Sequence, residues 1–254
     1  MNSLFIDLEI AKRVDYKIKN ALSEFVHKDL DYKSNFLQSE YNTAFDGYSY
    51  IGQSNSLNQS KTDMLHSFVL SEFQDFKSFP KEFHTFLKED WTALIDMVRS
   101  IEMRRIDKLN NPVLKQLYDD NIIGYMMSCN YYPKPINCAL AEKAHTRLSA
   151  HKDASLFTTF PFGVDKGLSI YQGTKAPIEI GKKETMFSFS GYFLEFVTNN
   201  EITALNHQVD FPKNLTSERF SFAIFSIPKP NTSFYLSDKE IKSEDYYKEY
   251  LAQF

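Results

Sequence analysis

The hydrophobic rhythm of the chain changes near residue 122. Before that point apolar side chains recur at helical spacing. Leu8, Ala11, Val14, Ile18, Ala21, Leu22 and Phe25 fall on or near one face of a helix predicted over residues 6–31. Phe83, Phe86, Leu87, Trp91, Leu94, Ile95, Val98 and Ile101 repeat the pattern and predict a long helix after Pro80. Another helix is expected from Asn111 to Asp120, with Pro112 at an early position that has no use for its N–H. Between these lies Tyr41 to Ser60, rich in Asn, Ser, Gln and Gly, which reads as strand or loop.

From Ile122 the apolar runs are short and broken by Gly, Pro, Asn and Asp. "IIGYMMSCNYY", "LFTTFPF", "LSIYQ", "IEI", "TMFSFS", "YFLEFV" and "RFSFAIFSI" predict strands joined by turns, as in a sandwich or barrel. The final stretch from Ser237 returns to a helical pattern, with Ser237 as its cap. The expected organisation is a helical N-terminal region, 1–121, packing on a β-rich core with a C-terminal helix, 122–254. The fold class is mostly β with flanking helices (α+β).

Composition narrows the function. The 254 residues are 43% hydrophobic and include 23 Phe and 15 Tyr, enough for a sizeable core. A net charge of −4, with both signs scattered, argues against a nucleic-acid partner. Cys129 and Cys138 form neither a disulfide framework nor a zinc pattern, and read as reduced thiols. No apolar run is long enough to span a membrane, and with acidic residues in the first apolar stretch no signal peptide is expected. The expectation is a cytoplasmic protein with no membrane or nucleic-acid partner, as a monomer or homodimer.

The candidate chemistry lies in "RLSAHKD", residues 147–153. In a strand, residues i and i+2 share a face, so His151 and Asp153 would project together and Lys152 away. An imidazole beside a carboxylate offers two metal ligands, and His207 in "NHQV" is the candidate third. Two His and one carboxylate on one face form the triad that holds non-haem Fe(II) and leaves positions open. Period 2 also puts Arg219 and Ser221 of "RFS" on one strand face, a guanidinium fork beside a hydroxyl, suited to a carboxylate. Tyr132, before Pro133 in "NYYP", would be held rigidly with its hydroxyl free to join them. His27, His66, His84 and His145 read as structural or surface residues.

The order NYYP, H-x-D, H, R-x-S resembles the isopenicillin N synthase-like branch of the Fe(II)/2-oxoglutarate-dependent oxygenases. "SCNYYPKP", "RLSAHKDASLFTTFPF", "GYFLEFVTNNEITALNHQV" and "ERFSFAIFSIP" carry the likeness, strongest over residues 126–228. The resemblance implies a double-stranded β-helix, a jelly-roll barrel. It implies His151, Asp153 and His207 as metal ligands, and Arg219, Ser221, Tyr132 and Asn130 as the 2-oxoglutarate site. It implies Fe(II) with 2-oxoglutarate and O2 as cosubstrates, and ascorbate as a reductant. Phe157 and Phe160 are the expected substrate contacts. The chain departs from the family's usual pattern at Lys152, Gln208 and Gly191-Tyr192, and before Phe45.

The expected activity is hydroxylation or desaturation of a small-molecule metabolite, coupled to conversion of 2-oxoglutarate to succinate and CO2. An isopenicillin N synthase-like or ring-forming oxidase that does not use 2-oxoglutarate is the alternative. A barrel that only binds is a second alternative. Asp153 itself argues against a halogenase, in which a small residue would leave room for halide.

Overall fold

The computed structural model describes residues 8–53, 63–134, 146–173, 175–211 and 218–253. The N-terminal part comprises α1 (Leu8–Val26), α2 (Leu30–Ser34), β1 (Gly47–Ser49), β2 (His66–Ser71), α3 (His84–Glu89), α4 (Trp91–Leu109) and α5 (Pro112–Asp119). Then follow β3 (Ile123–Tyr132), β4 (Thr146–His151), β5 (Phe157–Phe160), β6 (Leu168–Ile170), β7 (Ile178–Glu179) and β8 (Phe187–Ser190). The chain closes with α6 (Tyr192–Val197), β9 (His207–Asp210), β10 (Arg219–Pro228), β11 (Ser233–Leu236), β12 (Lys239–Lys242) and α7 (Ser243–Leu251).

Two antiparallel sheets form a jelly roll. The larger has strand order β1-β2-β3-β10-β5-β8 and the smaller β4-β9-β6-β7. The central strand β3 is buried at all ten positions, because both faces of the large sheet are covered. Tyr125, Met127 and Cys129 join Phe25, Phe68, Val98 and Ile224 in a core shared with the helices. Alternation turns Met126, Ser128, Asn130 and Tyr132 to the other face, into the barrel. A smaller core between the sheets contains Leu65, Leu148, Phe160, Leu168, Phe189 and Val209.

The helix expected first follows its apolar stripe, with Val14, Ile18, Leu22 and Phe25 buried, and Phe25 meets Phe68 edge-on at 4.9 Å. The predicted helix after Pro80 is broken at Asp90 into α3 and α4. Asn111 caps α5 by accepting from the N–H groups of Val113 and Leu114, with Pro112 in the first turn.

Three expectations need correction. The region 1–121 is not purely helical: β1 and β2 extend the large sheet, and β2 pairs with β3 across the boundary placed at 121. "YFLEFV", read as a strand, is the helix α6. Its buried Phe193, Leu194 and Val197 share one helical side, and Gly191 at its start lies so close to Ser155 O that a Cβ there would collide with it. Ser237 caps no helix. It takes a left-handed conformation, φ 56°, in the β11–β12 hairpin turn, and α7 begins later, at Ser243.

Candidate metal centre

β4 and β9 pair antiparallel with His151 directly opposite His207, and their ring centres lie 4.4 Å apart. β4 ends at His151, so Asp153 is not on the strand that simple alternation predicts. It lies in the following turn, where the N–H of Tyr192 donates to Asp153 O at 2.7 Å. The convergence survives: Asp153 Oδ1 is 3.2 Å from His151 Nε2 and 3.7 Å from His207 Nε2. The three ligand atoms lie within 4.8 Å of one another.

The surroundings orient each donor. His151 Nδ1 is 2.8 Å from Ser149 O, and His207 Nδ1 is 3.3 Å from Leu205 O. With the Nδ1 protons committed there, both Nε2 atoms face the centre. Asp153 Oδ2 accepts from Thr158 Oγ1 at 2.7 Å, and Ser155 Oγ is in turn 2.7 Å from Thr158 Oγ1.

Burial is the largest influence on all three ligands, but their mutual charges decide two of them. Burial pushes Asp153 up, yet the charges of His207 and His151 and the bonds from His151 and Thr158 hold it below the usual carboxylate range. Burial pulls His151 down, but its bond to Asp153 and that carboxylate's charge carry it above the usual imidazole value. His207 is pulled down to about 4 by burial, which the Asp153 charge does not offset, and by the charge of His151. A proton on His151 Nε2 would compete with a cation for the same atom.

A second group faces the same cavity. Arg219 stands opposite Tyr132 and Ser221 opposite Asn130 in the β10–β3 register, and all four line the cavity with the His-Asp-His group. Arg219 Nε donates to Lys166 O at 3.2 Å, and its guanidinium carbon sits 4.9 Å from the Tyr132 ring centre. Arg219 Nη1 is buried and has no hydrogen-bond partner among the described residues. A buried donor of this kind is destabilising unless an acceptor arrives. The donor set therefore fits a divalent iron, and the orphaned guanidinium nitrogen fits an anionic cosubstrate.

Other expectations divide. Phe160 lines the cavity; Phe157 does not. Alternation along β5 sends Phe157 to the helix-side core, where Arg105 lies over its ring at 5.6 Å. Lys152 points away from the ligands as expected, with Nζ 2.7 Å from Glu195 Oε1. Gln208 faces outward, accepting from the Tyr171 hydroxyl and donating to Asp210 Oδ1, both at 2.5 Å. His66 is structural: Nδ1 meets the Tyr48 hydroxyl at 2.7 Å, and burial lowers it to about 4. His84 Nε2 is 2.9 Å from Phe79 O and His27 Nδ1 2.7 Å from Ser23 O. Cys129 is buried and free. His145 and Cys138 lie outside the described residues.

Sequence reasoning missed Thr158, the cavity residues Phe45, Val69, Met126 and Tyr250, and a row of small polar groups. In that row Ser67 Oγ is 3.3 Å from Ser128 Oγ, which donates to Asn130 Oδ1 at 3.1 Å. The period-2 pattern of β3 could have shown Ser128 beside Asn130. Nothing local could have shown Ser67 beside them.

A jelly roll that brings two His and one Asp together offers the donor set that non-haem iron sites use. Residues 123–228 match the model of the 2OG-Fe(II) oxygenase superfamily. No curated protein matches the sequence. Solved structures share the fold at low identity. The JOX2 complex with 2OG, Fe and JA superposes with a TM-score of 0.72 at 20% identity, covering 95% of this chain and 74% of that one. A full-length Neurospora crassa protein in complex with alpha-KG gives 0.71 at 16% identity, covering 99% and 84%. The rice dioxygenase for auxin oxidation gives 0.66 at 13%, covering 95% and 82%. Among the described residues no helix is long and apolar enough to cross a membrane.

Proposed function

We propose that this protein is an Fe(II)/2-oxoglutarate-dependent dioxygenase that hydroxylates or desaturates a small-molecule metabolite and converts 2-oxoglutarate to succinate and CO2. The observation that carries the reading is the buried Arg219 Nη1, without a partner among the described residues, in the same cavity as the His-Asp-His group. A metal triad alone fits many reactions. A triad facing an orphaned guanidinium fits a metal used with a dicarboxylic cosubstrate. The JOX2 and Neurospora crassa structures, with 2OG and alpha-KG in complex, support the same cosubstrate here.

In this reading His151, Asp153 and His207 hold the iron. When bound, iron supplies dioxygen activation coupled to decarboxylation of the oxo acid. His151 offers Nε2 to the ion, with Nδ1 held by Ser149 O. Arg219 and Ser221 grip the far carboxylate of 2-oxoglutarate, and Tyr132 beneath the guanidinium keeps the fork in plane. Phe160, Phe45, Val69 and Met126 form the apolar part of the cavity wall, which excludes water and packs against the substrate.

The test is anaerobic addition of Fe(II) and 2-oxoglutarate to the metal-free protein, followed by a substrate screen in air. A weak visible absorption band should form, and succinate should accumulate in step with product. Gain of one oxygen in the product mass means hydroxylation, and loss of two hydrogens means desaturation. Turnover without any oxo acid would instead establish the oxidase alternative.

A further inference from the structure

Lys152 is the residue between the two neighbouring ligands, and its side chain does not idle in solvent. Its ammonium lies 2.7 Å from Oε1 and 2.8 Å from Oε2 of Glu195, in the middle of α6. The Glu195 side chain is largely buried, and Oε2 also accepts from the N–H of Ala204 at 2.7 Å. Ala204 is three residues before His207. One carboxylate therefore joins the backbone that bears His151 and Asp153 to the segment that delivers His207.

The remaining restraints hold the two sides of this link separately. Three consecutive carbonyls of the ligand turn are occupied. Lys152 O accepts from the Tyr250 hydroxyl at 3.0 Å, Asp153 O from Tyr192 N–H at 2.7 Å, and Ala154 O from the Tyr246 hydroxyl at 2.6 Å. On the His207 side Leu205 N–H donates to Ser190 O and Tyr171 N–H to Asn206 O, both at 2.9 Å, and β9 pairs with β6 with Ile170 opposite His207. These restraints hold each segment separately. The direct tie between them is the pairing of β4 with β9, whose register is irregular, with shifts between Thr146, Leu148 and His151. An ion pair spanning the two segments adds a second tie.

We infer that Lys152 and Glu195 are positioning residues, a strut that sets the separation of Asp153 from His207 and so the affinity and geometry of the metal site. This rests on the His-Asp-His group being that site. Neither residue touches the ion. Loss of the pair should act through ligand placement, as outer partners of metal ligands do.

The experiment uses the full chain, stripped of metal and titrated with Co(II), whose absorption bands report coordination geometry. Lys152→Met should weaken Co(II) binding roughly tenfold, the low end for outer partners, and shift the bands. Lys152→Arg should recover most of the affinity, because a guanidinium can keep the bidentate pair. Glu195→Gln retains an acceptor for Ala204 N–H but loses the charge, and should resemble Lys152→Met. Should Lys152→Met fail to fold, Glu195→Gln carries the comparison. Thermal unfolding of the metal-free proteins is read in parallel. Unchanged affinity and bands together with a lowered Tm would make the pair a plain structural tie and overturn the inference. Absence of Co(II) binding by the unaltered protein would overturn the metal-site reading itself, and the strut with it.

Discussion

Arg219 and Tyr132 face each other across β10 and β3, with the guanidinium carbon 4.9 Å from the ring centre and one guanidinium nitrogen left without a partner among the described residues. The ring fixes the plane of the fork, and the free nitrogen leaves one prong for a ligand. Removing the side chain as Arg219→Ala should lower kcat/KM for 2-oxoglutarate roughly 10- to 100-fold, the worth of a charged hydrogen bond. The loss should appear mainly in KM. Arg219→Lys should restore little, because an ammonium cannot reproduce a planar fork that holds Lys166 O with one nitrogen and offers another to the ligand. Steady-state kinetics with varied 2-oxoglutarate checks both.

The metal site should titrate. His151 carries a raised pKa through Asp153 in the absence of metal, so a proton and a cation compete for its Nε2. Metal affinity should therefore be full above the His151 pKa and fall by about tenfold per pH unit below it, with one proton released on binding. Co(II) competition titrations across a pH series measure the slope. His207→Ala should abolish the visible band of the Fe(II)·2-oxoglutarate complex.

Thr158 is the residue through which the barrel holds Asp153. Its hydroxyl donates to Oδ2 and leaves Oδ1 toward the two histidines. Thr158→Val keeps the shape and removes the donor, and should weaken metal binding roughly tenfold. Thr158→Ser should restore it. Equal affinities for the three proteins would mean that the ligand turn is held by its backbone alone.

Glu102 controls stability rather than chemistry. Fully buried in α4, it accepts from the hydroxyls of Tyr118, Tyr125 and Ser226, yet burial outweighs those bonds and raises it to about 7. The folded state thus binds its proton more tightly than the unfolded chain does. That contribution is complete below the unfolded value of 4.5 and is lost as pH rises through about 7. The total is on the order of 3 kcal/mol. Glu102→Gln cannot titrate, but it turns an amide donor toward hydroxyl donors. It should be less stable than the parent at pH 5, with a smaller deficit at pH 8. Urea unfolding at the two pH values checks the change in the gap.

Much of the site was legible because its residues report themselves in pairs. Period 2 in "RFS" puts Arg219 and Ser221 into one cavity, and the same period in β3 brings Asn130 and Tyr132 to meet them. The pairing of His151 with Asp153 was legible for the wrong reason. The strand stops at His151, and the turn held by Tyr192, Tyr246 and Tyr250 brings Asp153 back to the same face. "YFLEFV" misled because two apolar or aromatic clusters in six residues satisfy a strand and a short helix equally. Only the close approach at Gly191 and the capture of backbone by the ligand turn select the helix. Phe157 misled because every position of β5 is buried, so apolarity does not tell which face is the cavity.

Read alone, the sequence shows the sheet-rich second half and the apolar faces of α1, α4 and α5, and it points to His151, Asp153, His207 and Arg219 as the candidate site. Those features depend on local periodicity and on side-chain chemistry, which survive without knowledge of neighbours. The tertiary structure decided what depends on chain segments far apart in sequence. It set His207 opposite His151, placed Thr158 on Asp153, joined Lys152 to Glu195 and turned Arg219 into the same cavity. Burial and charge then act on that arrangement, because in a low-dielectric interior the partner at about 3 Å, and not the residue type, sets what a group can do.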